Sequence, residues 1–142
     1  MSTPYSEVDN IFLSNIKDKT FLDFEEEDRE IILDGIRVQA INKFKQCKLN
    51  LKDRNETERV FNEDLTEEIK VIIGTIMVRF WMNDKIFDLD LLKQKMSTKD
   101  WKLTSQAGHL DKLIKLKKEL DAEIYTLIND YVNYNYSLDD LK

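Results

Sequence analysis

The residue types that carry out most nucleophilic and metal chemistry are scarce in this chain. His109 is the only histidine and Cys47 the only cysteine among 142 residues. A Cys/His nucleophile pair is formally possible, but neither residue lies in a nucleophile turn. Asp111 follows His109 by two residues, and on a helix it would point elsewhere rather than orient the imidazole. A single cysteine also excludes an internal disulfide and a cysteine-based zinc site.

Phosphate-binding and calcium-binding loops also lack their sequence signals. The three glycines are far apart, and each falls within a helical pattern. The stretches "EEEDRE" and "DLDLL" bring carboxylates together without the Asp-x-Asp-x-Asp-Gly pattern of a calcium loop. A pair of acids for hydrolysis stays open as an alternative, although nothing in the sequence singles one out. We therefore expect a protein that is not an enzyme and that uses no metal and no cofactor.

Lysines are concentrated in one segment of an otherwise acidic chain. Residues 93–118 contain eight lysines against two aspartates, together with Trp101. Lysines with an aromatic residue can contact phosphates and stack on bases, but this segment has no arginine to read base edges. Residues 1–30 hold nine acids against three bases, which accounts for the net charge of −6. This polarity favours head-to-tail packing of copies or a contact with an oppositely charged partner; the alternative is an ordinary solvated surface.

Composition and periodicity predict an all-α fold, a small helical bundle with a central, largely buried helix and a long C-terminal helix. Three glycines and one proline are too few for the tight turns of an all-β protein. We expect a single helical domain over 1–142, with 1–20 an acidic N-terminal segment and 136–142 a flexible tail. Apolar residues at helical spacing predict helices at 6–17, Asp23 to about 46, 66–83, 88–96 and 105–135.

Capping residues and polar stretches predict where these helices begin and what connects them. Asp23 is the expected N-cap of the second helix, and Asp64 or Thr66 that of the central one. The polar, mixed-charge stretch 47–62 predicts a surface loop. Residues 97–105 are expected to form an extended connector or a small hairpin.

The central helix is apolar on nearly every side, as "VIIGTIMVRFW" at 71–81 illustrates. Residues 65–82 nevertheless contain four charged side chains, whereas a membrane-spanning helix needs about 20 mostly uncharged residues. The pattern therefore predicts a core helix and no membrane contact. Val71, Val78 and Trp81 lie off its main apolar face, so they either lie under other helices or reach a neighbouring molecule.

The order and spacing of these elements over residues 20–136 resemble the helical head–tail connector (adaptor or neck) proteins of tailed bacteriophages. The likeness is carried by "FLDFEEEDREIILDGIRVQAINKF", by "FNEDLTEEIKVIIGTIMVRFW", by "LLKQKMSTKDW", and by the long helix from "SQAGHLDKLIKLKKEL" to "NDYVNY". The acidic N-terminal extension and the tyrosine-rich C-terminal tail are not part of the shared pattern.

The resemblance implies a structural virion protein that docks on the portal as a ring, usually of twelve copies. Such a ring extends the DNA channel and provides the platform for tail attachment. Its implied partners are the portal protein, other neck or tail-completion proteins and further copies of itself, with incidental contact to packaged DNA. The implied location is the neck of the virion, and the bacterial host cytoplasm during assembly. The alternative is a helical regulatory or nucleic-acid-binding protein of a mobile element.

A ring requires two unlike side surfaces on each copy, because its contacts are heterologous. The acidic segment 1–30 and the basic segment 93–118 are expected to supply the two halves, with Trp101 near the seam. Aromatic residues with polar tips are favoured at protein interfaces. The candidate contact residues are Trp81, Lys99, Trp101, Lys102, Tyr131, Tyr134 and Tyr136.

Overall fold

The computed structural model describes residues 2–16, 25–102 and 105–135. These residues form five helices and three two-residue strands, which confirms the predicted all-α fold with a long C-terminal helix. The helices are α1 (Tyr5–Asn15), α2 (Glu26–Lys43), α3 (Glu67–Gln94), α4 (Thr98–Lys102) and α5 (Ser105–Asn135). The strands are β1 (Thr3–Pro4), β2 (Arg54–Asn55) and β3 (Val60–Phe61).

Helix α3 is the central helix, and its surroundings explain why it is apolar on nearly every side. Helices α1, α2 and α5 all pack against it. A helix with neighbours on three sides has little surface left for polar residues. Ile72, Ile73 and Met77 are completely buried, and Val78 is buried as well. Val71 is partly exposed, so only one of the two off-face valines lies under another helix.

Gly74 marks the closest approach between α1 and α3. A β-carbon at this position would lie 2.6 Å from Ile11 Cγ2 and 3.0 Å from Ile11 Cβ. A β-carbon does not approach another carbon atom this closely, so only glycine allows α1 to pack at this depth. Trp81, two turns further along α3, meets Phe12 of α1 edge to face with ring centroids 6.2 Å apart.

The predicted end of the central helix at Asn83 and Asp84 is wrong, because α3 continues to Gln94. Neither residue is a glycine or proline, and both side chains are exposed to solvent. Arg79 donates a hydrogen bond to the Asn83 side chain one turn away, so the polar residues are accommodated on the helix surface. The short helix predicted at 88–96 is therefore the last part of α3.

The connector predicted at 97–105 is also different, because it contains α4 rather than an extended segment or hairpin. Ser97 begins this helix: its hydroxyl accepts a hydrogen bond from the Asp100 amide at 3.1 Å. Its carbonyl accepts one from the Trp101 amide at 2.9 Å. A serine that bonds the amide three residues later is a typical N-cap.

The start of the chain is tied to the segment before α3 by a small antiparallel sheet with strand order β1-β3-β2. Thr3 pairs with Phe61, and Arg54 pairs with Phe61 on the other side. The Thr3 hydroxyl donates to the Glu63 carbonyl at 3.0 Å and accepts from the Leu65 amide at 2.9 Å. The segment predicted as a loop at 47–62 thus contains two strands.

The two N-cap predictions, for α3 and for α2, differ in outcome. Thr66, one of the two alternatives for α3, accepts a hydrogen bond from the Ile69 amide at 3.3 Å. Helix α2 begins at Glu26, with Glu25 in the N-cap position, and the predicted cap Asp23 lies outside the described residues. The predicted tail at 136–142 lies outside them too.

Helices α3 and α5 run antiparallel. Arg79 forms a 2.6 Å ion pair with Asp121, and the Asn135 amide donates to Glu68 at 3.2 Å. The main hydrophobic cluster ends at Met82 on α3 and begins at Leu120 on α5. We call the part beyond it, residues 83–102 and 105–118, the hairpin arm.

Candidate interaction surface on the hairpin arm

The hairpin arm exposes large apolar side chains on both of its long helices. On α3, Phe87 is 63% exposed, and Leu91 follows one turn later at 41%. On α5, Ile114 and Leu116 are exposed at about the level of Phe87, given the antiparallel pairing. Single exposed apolar residues are ordinary, but several at one level of a slender arm mark a surface suited to a partner.

The same arm carries the lysine surplus of the chain. Its sequence contains nine lysines against five aspartates. Among the described residues, eight of these lysines have no carboxylate within ion-pair distance. They are Lys93, Lys95, Lys99, Lys102, Lys112, Lys115, Lys117 and Lys118. Seven of these eight side chains are exposed, and Lys117 is half-buried. The exposed lysines therefore present their charge to solvent.

Lys99, Trp101 and Lys102 come together on α4, but Trp101 does not lie at an exposed seam. Its side chain is only 5% exposed, because it packs inside the arm. Leu110 of α5 is the other described arm residue that is buried, and neither belongs to the main hydrophobic cluster. Trp101 thus belongs to a small separate core at the end of the arm, while the two lysines beside it are exposed.

An open cleft of about 460 Å³ lies at this end of the arm. Its lining combines one acid and one lysine with uncharged and apolar groups: Asp90, Lys93, Gln94, Met96, Thr98 and Trp101. The edge of Trp101 that remains accessible faces this cleft. The cleft has room for one or two side chains of a partner.

Tyr131 and Tyr134, two of the predicted contact residues, both lie near the end of α5 but differ in exposure. Tyr131 is 2% exposed and belongs to the core. Its hydroxyl accepts a hydrogen bond from the Lys48 amide at 2.8 Å, and its ring meets Phe44 edge to face at 5.3 Å. Tyr131 therefore fixes α5 to the end of α2, and its place in the heptad pattern of α5 was the signal for this role. Tyr134 is 84% exposed, and Tyr136 lies outside the described residues.

Trp81 is half-buried at the base of the arm. Besides its contact with Phe12, it lies under the Lys85 ammonium, which is 4.8 Å from the ring centroid. This distance fits a cation–π interaction. The structure thus separates the predicted contact residues into three places: α4, the base of the arm and the far end of α5.

A buried ion-pair network joins α1, α2 and the segment before α3, and the sequence did not predict it. Arg37 is 2% exposed and donates two hydrogen bonds to Asp9, at 3.0 and 2.6 Å. It also donates to Asp34 at 2.7 Å, and Arg59 donates to the same carboxylate at 2.7 and 3.2 Å. Both Asp9 and Arg37 fall on apolar helical stripes, which is the signal that could have revealed the pair.

Tyr5 lies between the two arginines of this network. The Arg37 guanidinium is 4.3 Å from its ring centroid, and that of Arg59 is 5.6 Å away. The hydroxyl donates to Glu56 at 3.0 Å. Burial, together with this bond to a carboxylate, raises the pKa of Tyr5 to about 12. Tyr5 is thus a neutral structural residue at physiological pH.

Burial and pairing shift the pKa values of the two aspartates in opposite directions. Burial raises the pKa of the Asp9 carboxyl, although Arg37 donates to both of its oxygens. Burial acts on Asp34 in the same sense, but hydrogen bonds from Arg59 and Arg37 outweigh it and hold the pKa of Asp34 below its ordinary value. Each charged side chain of the network has a partner within the chain, so we assign it a structural role.

Within the described ranges, Cys47 and His109 are not arranged for nucleophilic catalysis. Burial raises the pKa of the Cys47 thiol, which lowers the population of the reactive thiolate. The Tyr131 hydroxyl donates a hydrogen bond to this sulfur at 3.9 Å, and the Leu49 backbone also bonds to it. His109 is exposed near the start of α5. Residues 2–16, 25–102 and 105–135 contain no cluster of three or more metal-ligating side chains.

The acidic half of the predicted contact is smaller than residues 1–30. Two of its acids are used inside the chain, since Asp9 pairs with Arg37 and Glu7 lies 3.3 Å from Lys70. The densest remaining group is at the start of α2, where residues 25–30 contain five acids and one arginine. These five carboxylates are exposed, and within the described chain none of them forms an ion pair.

No helix within the described ranges is both long and apolar enough to cross a membrane. No protein-family model, curated protein or solved structure matches the chain.

Proposed function

We propose that this protein is a structural subunit of a bacteriophage head–tail connector, which docks on the portal as a ring and provides the platform for tail attachment. One observation carries the proposal: a single helical body bears a lysine-rich, partly apolar arm and, elsewhere, an unpaired acidic helix start. Two unlike surfaces on one chain are what a closed ring of identical copies needs. The resemblance of the helix pattern to that protein class supplies the portal as the partner.

The experiment is to purify the tagged protein from cells that also express the neighbouring genes of its genome. The expected result is recovery of a portal-type protein together with many copies of this chain, in a complex whose mass and rotational symmetry electron microscopy can measure. Recovery of a single host protein in a one-to-one complex would contradict the connector role.

A second candidate function is nucleic-acid binding, and the unpaired lysines of the arm favour it. Eight lysines without carboxylate partners could neutralise phosphates. The burial of Trp101 weighs against it, because a buried indole cannot stack on a base. The test is binding of duplex DNA at several salt concentrations: affinity that falls steeply with salt, without any portal-type partner, would favour this function over the connector.

A further inference from the structure

We propose that the hairpin arm of one copy binds the first two turns of α2 of a second copy. This inference deepens the proposed ring by naming its side-to-side contact, and it rests on that proposal. It depends on four observations: the unpaired lysines of the arm, its exposed apolar residues, the unpaired acids at the start of α2, and an exposed isoleucine among those acids.

The charges on the two surfaces are complementary. The end of the arm presents Lys93, Lys95, Lys99 and Lys102. The start of α2 presents five acids over residues 25–30. Within the described residues no ion pair joins these groups to each other. A second copy brings the opposite charge to each surface, which favours orientation and rapid encounter.

Apolar residues occur at matching places on both surfaces. Ile31 is 69% exposed on α2 and shares a helix face with Glu27, one turn earlier. On α3, Leu91 is exposed, and Lys95 follows it by four positions, directly after the helix ends at Gln94. Packing Ile31 against Leu91 therefore brings Glu27 near Lys95. Phe87, one turn before Leu91, extends the apolar part of the contact.

The aspartates of the arm limit how the two surfaces can align. Asp84 and Asp88 lie on α3 near the base of the arm and would repel the acids of α2. The end of the arm also contains two acids, Asp90 and Asp100, but its four lysines outnumber them. The acids of α2 must therefore lie toward this end and away from the base. This requirement fixes the direction of α2 along the arm.

The test uses charge reversal on each surface. The first variant carries Glu26→Lys, Glu27→Lys and Glu30→Lys; the second carries Lys93→Glu, Lys95→Glu and Lys99→Glu. All six side chains are exposed, so both variants are expected to fold, and circular dichroism checks this. Sedimentation at low and high salt measures self-association. Each variant alone is expected to associate more than about tenfold more weakly than the natural chain, because like charges then face each other.

Mixing the two variants provides the decisive measurement. In an alternating assembly every contact again joins opposite charges, so the mixture is expected to recover association that neither variant has alone. The chain carrying all six substitutions is expected to recover it too. A matched control with Lys45→Glu, Lys52→Glu and Glu119→Lys changes exposed charges outside both surfaces and is expected to associate normally.

Three outcomes decide the inference. Recovery in the mixture supports it. Full association of either variant alone overturns this contact but leaves a ring through other surfaces, and hence the connector role, standing. A natural chain that stays monomeric at low salt and near-millimolar concentration also overturns the contact, while recovery of a portal-type protein from cells still tests the proposed function separately.

Discussion

At the scale of single residues, the buried Arg37 shows how a charge can be held in the core of a small protein. Its guanidinium has two carboxylates and an aromatic face around it, so its donors and its charge are compensated. Such a pair contributes modestly to stability while it is complete, and removing one partner is strongly destabilising. The contact also fixes how α1 lies on α2.

The first prediction concerns this pair. Asp9→Asn leaves a buried guanidinium without its bidentate partner and is expected to lower the free energy of unfolding by about 3–5 kcal/mol, measured by urea denaturation. Glu7→Gln is the matched control on the same helix; it breaks only a surface pair and is expected to cost less than about 1 kcal/mol. Asp9→Leu combined with Arg37→Met is expected to be more stable than Asp9→Asn alone. If both variants were destabilised equally, the loss of packing and not the unpaired charge would dominate the effect of Asp9→Asn.

Asp34 gives a prediction about pH. Its folded-state pKa is lower than its ordinary value, so its contribution to stability is present above that ordinary value, near pH 4, and is lost as the pH falls through the folded-state pKa. Asp34→Asn is therefore expected to lose less stability than the natural chain between about pH 4 and pH 2. Chemical denaturation at several pH values measures this, and parallel curves for the two proteins would contradict it.

Gly74 and Gly35 form a natural comparison of two helical glycines. Gly74→Ala forces a clash with Ile11 near its backbone, and is expected to lower stability by about 1–3 kcal/mol as α1 shifts. Gly35→Ala meets nothing within 4 Å and is expected to raise stability by about 0.5–1 kcal/mol, since alanine favours the helix. Thermal unfolding of both variants measures the effects, and the same sign for both would contradict this account.

At the scale of elements, the hairpin arm has its own small core. Trp101 and Leu110 are buried there, away from the main cluster that ends at Met82. Elements with few buried contacts open more readily than the central core. The arm is therefore expected to open independently of the body.

Trp101→Ala tests this independence. The expected result is loss of amide-exchange protection by more than about tenfold in the last turn of α3 and the first turns of α5, with α3 residues 69–78 unchanged. Lys99→Ala on the same short helix is the control and should leave exchange as it is, because its side chain is exposed. A uniform loss of protection across the chain would show that arm and body unfold together.

The limits of prediction from the sequence are visible in particular elements. Helix α5 was predicted at 105–135, as found, and α1 within two residues at either end, because both have regular apolar stripes. The continuation of α3 past Asn83 was missed, since exposed polar residues resemble a helix end in a single sequence. The sheet was missed because Thr3 and Phe61 are brought together only by the tertiary fold.

The predicted contact residues differ in exposure, and their role in a contact stays a prediction. Lys99 and Lys102 are exposed on α4 as a partner contact requires, whereas Trp101 and Tyr131 are buried. An aromatic residue looks the same in the sequence whether its side chain is buried by its own chain or by a partner. Composition therefore cannot distinguish a core residue from an interface residue. Phe87 was not singled out because the sequence placed it between two predicted helices, and Leu91 because it was assigned to a separate short helix at 88–96.

At the scale of the whole molecule, the arm makes the protein elongated. Helix α5 has 31 residues and so spans about 46 Å. A compact domain of 142 residues has a radius of gyration of about 14 Å, which corresponds to a sphere with a diameter of roughly 37 Å. Small-angle X-ray scattering of the dilute monomer at high salt is expected to give a larger radius and a maximum dimension above about 46 Å. A profile typical of a sphere would mean that the arm folds back on the body in solution.

The pairing of β1 with β3 also sets an order of events during synthesis. Thr3 leaves the ribosome before its partners in the β3 segment, which are about sixty residues later in the chain. At about 5–20 residues per second, the first strand waits roughly 3–12 s for them. Helix α1 waits longer still for its packing partners, because it packs against Gly74 and Trp81 on α3, which are made later. The N-terminal segment is thus made well before the elements on which it docks, which leaves Val8 and Phe12 in need of protection from aggregation while the nascent chain grows.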